Sequence, residues 1–152
     1  MPTTPRRALI VIDVQNEYID GDLRIDYPPI DTSLINIGRA MDAATAASIP
    51  VVLVQNDAAA DSPLFAVGSR GWQLHPAVAK RPHAHLVNKA LPSAFAGTDL
   101  AQWLTSHEID TITVVGYMTQ NCDAATIYEA AHRGFAAERA IPIQQGGIWR
   151  IS

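Results

Sequence analysis

Sulfur chemistry is scarce in this chain: Cys122 is its one cysteine. A single cysteine closes no intramolecular disulfide and builds no cysteine-rich zinc site. Positive charge is scarce too. Lys+Arg is 11 against Asp+Glu 15, a net charge of −4, where a nucleic-acid binder would carry a basic excess. Charged residues are only 17% and hydrophobic residues 48% of the chain, with a mean hydropathy of +0.06, which excludes a disordered acidic or basic tail. No apolar run approaches the roughly 20 residues of a membrane span. Met1 to Arg7 holds two arginines, but Ala8 to Val14 is interrupted by Asp13 and followed by no cleavage-like site. The expected address is therefore cytoplasmic rather than secretory. No Gly-x-Gly-x-x-Gly or Walker pattern follows the first apolar run, which argues against a nucleotide-binding domain. There is no internal repeat.

What is present fits one domain over residues 1–152. A chain of this length buries roughly 68–70% of its unfolded surface and needs no metal or disulfide staple. Ala8–Ile12, Val51–Val54, His85–Asn88 and Ile109–Val115 are short apolar runs that read as strands. The first and second lack polar alternation, as in strands buried on both faces. Helices are expected from Asp31 or Thr32 to about Ser48, near Pro76–Ala79, from a Thr98 cap to His107, and from Asn121 to Arg133 with Gly134 as the stop. The stripe of the first is Leu34, Ile35, Ile37, Met41 and Ala44; that of the third is Leu100, Trp103, Leu104 and His107. Strand–helix alternation of this kind predicts an open parallel sheet covered by helices on both faces, a Rossmann-like three-layer sandwich.

Three reactive side chains fall in one kind of place. Asp13 ends the first strand, Lys89 follows the third, and Cys122 comes shortly after the fourth. Open parallel sheets bind ligands outside the carboxyl ends of their strands, so these three should face one crevice. Cys122 opens a helix, whose free N–H groups and dipole favour a thiolate, and a nearby lysine lowers a thiol's pKa further. Asp13 is the available proton acceptor. On residue types alone the alternatives stay open: Asp13 as a turn cap, Lys89 as a solvated lysine, Cys122 as a packed core residue.

Several separated motifs carry a resemblance. Ala8-Leu-Ile-Val-Ile-Asp-Val-Gln-Asn16, Ser62 to Pro76 (SPLFAVGSRGWQLHP), Asn88-Lys-Ala-Leu-Pro-Ser-Ala-Phe95, and Gly116-Tyr-Met-Thr-Gln-Asn-Cys122 with Thr126 are similar to the isochorismatase-like cysteine hydrolase superfamily, over about residues 7–134. The resemblance implies six parallel strands in the order 3-2-1-4-5-6 and a catalytic triad of Asp13, Lys89 and Cys122. It also implies a cis peptide at Tyr117–Met118 and an oxyanion hole from the Met118 and Cys122 N–H groups. The implied reaction is hydrolysis of a C–N bond in a small amide through a thioester; the alternatives are vinyl ether hydrolysis, or a non-catalytic binding or scaffold role. Gln15, Tyr18, Phe65, Trp72 and Tyr117 are the expected pocket walls, a small molecule the expected partner, and a homo-oligomer (dimer or tetramer) the expected assembly. Nicotinamidase-type members bind a metal through an Asp-x-His pair after the second strand. Here that stretch reads Gln55-Asn56-Asp57-Ala58-Ala59, so no metal or other cofactor is expected. His83-x-His85 has metal-like spacing, with both rings on one face if it lies on a strand, but two ligands make a weak site. Phe135 to Ser152, with Pro142, Gly146 and Gly147, does not match the family's last strand and helix. That C-terminal part reads as truncated or altered.

Overall fold

The computed structural model of the chain describes residues 4–26, 29–117, 122–141 and 150–151. Six strands form one sheet: β1 (Arg7–Ile12), β2 (Val51–Asn56), β3 (His85–Lys89), β4 (Thr111–Gly116), β5 (Ala136–Ile141) and β6 (Arg150–Ile151). Their order is β3-β2-β1-β4-β5-β6. The first five run parallel. β6 pairs antiparallel with Ala140 and Ile141, so the edge departs from the expected all-parallel sheet. Residues 136–141 correct the expected mismatch after Phe135: Thr111 to Val114 pair in register with Ala136 to Arg139.

Helices α1 (Asn16–Ile19), α2 (Ile30–Ala46), α3 (Pro76–Ala79), α4 (Leu100–Ser106) and α5 (Ala124–His132) connect the strands. Side chains alternate across β1, so it feeds two cores. Ala8, Ile10 and Ile12 join Leu100, Leu104 and Ala130 from α4 and α5. Leu9 and Val11 join Ile37, Ala40, Met41 and Ala44 from α2. The α2 spacing 37, 40, 41, 44 is one helical face. Ile35 lies outside it and is 58% exposed, which corrects the expected stripe. α2 starts at Ile30 without a side-chain cap, and Asp31 sits in its first turn beside the dipole. Asp99 occupies the α4 cap position while the Thr98 hydroxyl accepts the Leu100 N–H at 3.3 Å. Gly134, at φ 92°, ends α5 as expected.

The register decides where the site lies. Ile12 is level with Val54 on one side and Gly116 on the other, and Asn56 is level with Lys89. Strands β3, β2, β1 and β4 therefore end near one level, and the residues at and just past those ends share one edge.

Candidate active site

Asp13 leaves β1 in the left-handed region, at φ 56°. A non-glycine residue there costs about 1–3 kcal/mol and needs enforcement by its surroundings. The Asp13 N–H donates to Val54 O at 2.9 Å, and its carbonyl accepts from Gln15 N at 2.8 Å. This tight turn keeps the carboxylate over the sheet end, wholly buried.

Lys89 is the last residue of β3 rather than a residue after it, and it is 2% exposed. A buried ammonium must be paired and hydrogen-bonded. Its Nζ lies 3.1 Å from Asp13 Oδ2, 3.5 Å from Cys122 Sγ, 3.1 Å from Leu91 O and 3.4 Å from Asn56 Oδ1. An ammonium has three protons, and here they meet three hydrogen-bond acceptors, Cys122 Sγ, Leu91 O and Asn56 Oδ1. The Asp13 contact is an ion pair off the hydrogen-bond axis: among the described residues, neither Asp13 oxygen accepts an aligned hydrogen bond.

Cys122 precedes α5 in a turn of π-helical hydrogen bonding with Asp123 and is 8% exposed. Burial and the Asp13 charge push its thiol up to about 11 against the pull of Lys89. The expected net lowering by lysine and helix dipole is thereby corrected: the lysine pulls downward, but desolvation and the carboxylate outweigh it. Burial also raises the proton affinity of Asp13, with Lys89 opposing. The thiol is thus held neutral beside the Asp13–Lys89 contact.

The structure thus brings Asp13 and Cys122 to opposite contacts of the one Lys89 ammonium. Met118, the Tyr117–Met118 peptide and residues 119–121 lie outside the described residues. Tyr18 lies against Phe65 (5.1 Å between ring centroids) and Tyr117 (6.0 Å). The charges of Asp13, Cys122 and Asp123, behind burial, push the Tyr18 phenol up, so the ring neighbours the triad. Tyr117 accepts a hydrogen bond from Ser33 Oγ at 2.9 Å.

Gln15 takes a different part from the pocket wall expected. Fully buried, it donates to Asn56 O and Trp72 O at 2.9 and 2.8 Å and accepts from Asn56 N at 3.0 Å. It clamps the residue that touches Lys89. Trp72 is tied into the same network: its indole N–H donates to Asp57 Oδ1 at 2.7 Å, and Gln55 Nε2 donates to its carbonyl at 3.0 Å. Asn88 Nδ2 donates to both Gln55 Oε1 and Asp57 Oδ1. Thr126 accepts the Ala94 N–H at 3.0 Å and so fastens the segment after Lys89 to α5.

His83 precedes β3 rather than lying on it, and its Nδ1 meets Arg81 O at 3.0 Å. His85 Nε2 meets both Asp99 carboxylate oxygens at 3.1 Å. Among the described residues, no group of three or more His, Cys, Asp or Glu could hold a metal. Nor is any described helix long and apolar enough to cross a membrane.

Asn56 and Asp123 were not singled out from sequence. Asn56 sits in the run of polar residues closing β2, where spacing does not tell a lysine partner from a turn residue. Asp123 reads as an ordinary acid at a helix start, and only its burial sets it apart.

Residues 7–137 match the model of the Isochorismatase domain. The chain is 32% identical over 133 residues to a secreted isochorismatase effector, Isc1, of Verticillium dahliae, covering 88% of this chain and 69% of that protein. It is 28% identical over 147 residues to an N-carbamoylsarcosine amidase of Arthrobacter sp, covering 86% of this chain and 56% of that one. Several curated relatives are longer, and the match spans 45% to 69% of their lengths. A crystal structure from Burkholderia xenovorans LB400, assigned to the isochorismatases, superposes with a TM-score of 0.88 at 58% identity, covering 98% of this chain and 74% of that one.

Proposed function

The chain belongs to the isochorismatase family, and on that premise we propose that it is a cysteine-dependent hydrolase of a C–N bond in a small amide. One observation carries the reading. A single ammonium, Lys89 Nζ, lies 3.1 Å from the Asp13 carboxylate and 3.5 Å from the Cys122 sulfur. The cation is in contact with both the candidate base and the candidate nucleophile. The amidase activity named for the Arthrobacter relative supports an amide as the substrate class.

Asp13 takes the Cys122 proton as the sulfur attacks the carbonyl carbon, and the carbonyl π electrons move to oxygen. Lys89 stabilises the charge that passes from carboxylate to sulfur. The oxyanion rests on the Met118 and Cys122 N–H groups. Asp13 returns the proton to the leaving nitrogen as the C–N bond breaks, leaving an acyl thioester. It then takes a proton from water, whose oxygen attacks the thioester. The C–S bond breaks, and the sulfur recovers its proton from Asp13 as the acid leaves. Tyr18 lines the site beside the triad, backed by Phe65 and Tyr117. The reaction uses no metal, and the protein works as a homo-oligomer in the cytoplasm.

The test is a hydrolysis screen over small amides with Cys122→Ala as control. Turnover of an amide by the parent chain and its loss in Cys122→Ala support the reading; turnover that survives the substitution overturns it. Vinyl ether hydrolysis is the second reading, since proton transfer from a carboxyl suffices there and the sulfur is dispensable. Amide turnover should also persist in EDTA, and loss restored by zinc would contradict the metal-free mechanism. A chain that binds small amides without turnover would be a scaffold member of the fold.

A further inference from the structure

The residue that closes β2 is held more firmly than a strand end requires. Gln15, itself wholly buried, grips the Asn56 backbone at both polar groups. Its Nε2 donates to Asn56 O at 2.9 Å, and its Oε1 accepts from Asn56 N at 3.0 Å. Asn56 is level with Lys89 on β3, and β2 stands between β3 and β1, the strand that launches Asp13. The Asn56 carboxamide therefore leaves a fixed backbone in the middle of the edge where the triad collects.

The chemistry of its neighbour decides which way that carboxamide is turned. An ammonium only donates, so the atom facing Lys89 Nζ at 3.4 Å is Oδ1. The amide nitrogen stands about 2.3 Å from that oxygen, on the other branch of Cγ, and so no more than about 6 Å from the ammonium. Among the described residues Nδ2 donates to no acceptor, and it is open to solvent rather than sealed in the interior. Its N–H groups are thus presented beside the triad without a partner. The cation on the oxygen side polarises the amide and strengthens them as donors. In the proposed reaction the scissile carbonyl oxygen goes to the Met118 and Cys122 N–H groups, so the acceptor for Asn56 is a different oxygen of the same small molecule.

We propose that Asn56 Nδ2 is a substrate-binding donor, and that the amide this chain takes carries a second oxygen acceptor, a carbonyl or carboxyl group within two carbons of the scissile carbonyl. This rests on the amide-hydrolase reading and narrows its substrate class. An analogue without that oxygen strips water from the Asn56 N–H groups and returns no hydrogen bond, which is how a polar site rejects a near-isostere.

Binding to the full chain carrying Cys122→Ala, which removes turnover, tests this. The probes are two pairs of small amides whose members differ by one carbonyl oxygen: pyruvamide with propanamide, and acetoacetamide with butanamide. Dissociation constants come from the ligand-dependent rise in Tm. The oxo member of at least one pair should bind about five-fold more tightly than its partner. Adding Asn56→Ala should abolish that preference while the oxygen-free member binds as before. Asn56→Asp should abolish it too, since an oxygen still faces Lys89 but the N–H groups are gone. Asn56 variants that weaken both members of a pair alike would give the residue a structural role only and overturn the proposal. Equal binding of both members before Asn56 is changed, or binding of neither, also overturns it. The amide-hydrolase reading is decided separately, by turnover in the chain that keeps Cys122. If that screen fails while the preference holds, Asn56 is a binding donor in a site that does not hydrolyse amides.

Discussion

Gly116 stands so close to Ile12 that a Cβ added to it would lie 2.0 Å from the Ile12 carbonyl oxygen. Its φ of 130° is a conformation side chains rarely adopt. The approach lets the Tyr117 N–H donate to that same carbonyl at 3.0 Å, which joins the exit of β4 to the strand end that launches Asp13. Gly116→Ala should cost about 3 kcal/mol or more, from crowding and strain together. Urea unfolding checks this; a loss under about 1 kcal/mol would mean that the strands separate easily there.

The Asp13–Lys89 pair is wholly inside the protein. Lys89→Met leaves a buried carboxylate without that cation and should cost about 3–5 kcal/mol. Adding Asp13→Asn removes the stranded charge and should recover more than half of the loss. Denaturant midpoints of the two single variants and the double variant read the coupling directly. Additive losses would show that the pair acts as two independent groups.

The thiol of Cys122 should stay protonated well past neutrality. With burial and Asp13 holding it at about 11, against an ordinary 9.0, thiolate absorbance should rise only as pH approaches 11. In Asp13→Asn the raising charge is gone, so the midpoint should fall. In Lys89→Met the lowering charge is gone, so it should climb. A midpoint unmoved by Asp13→Asn would place the sulfur outside the reach of the carboxylate.

Beyond β5 the sheet is held by less. Among the described residues β6 meets β5 over two residue pairs, Ala140 with Ile151 and Ile141 with Arg150. A strand edge with unpaired N–H and C=O groups invites another chain. A homo-oligomer with residues 135–152 at or near a subunit interface is therefore expected. Light scattering at micromolar concentration should give a mass of at least two chains, and a stable soluble monomer would contradict it.

The parts of the fold most legible in sequence are those where burial is complete. β1, β2 and β4 are nearly continuous apolar runs because helices cover both faces, and the chemistry-bearing residues stand out at their ends. β5 reads poorly because Glu138 and Arg139 interrupt it. In the structure Glu138 pairs with Arg7 and accepts from Thr113 Oγ1, so its charge is satisfied within the sheet. α1 is a single turn, Asn16–Ile19, too short for any period to register. Ile35 matched a helical stripe in composition but sits on its outer flank. The three triad candidates were legible as strand-end residues. The roles of Gln15 and Asn56 were not, because what they do depends on a crossing from β1 to β2 that spacing along the chain does not reveal.

Three ammonium protons at Lys89, with three hydrogen-bond acceptors and the Asp13 carboxylate at 3.1 Å as a further charged contact, make this corner of the molecule a commutator. Oxygen and sulfur are both already within reach, so when negative charge passes from Asp13 to Cys122 the lysine can follow by turning about its Cε–Nζ bond. No heavy atom needs to travel, and the contacts to Leu91 O and Asn56 Oδ1 hold the nitrogen still while it turns. The enclosure therefore reorganises in hydrogen positions alone, which keeps the energetic penalty of charge migration small in a place that water scarcely enters.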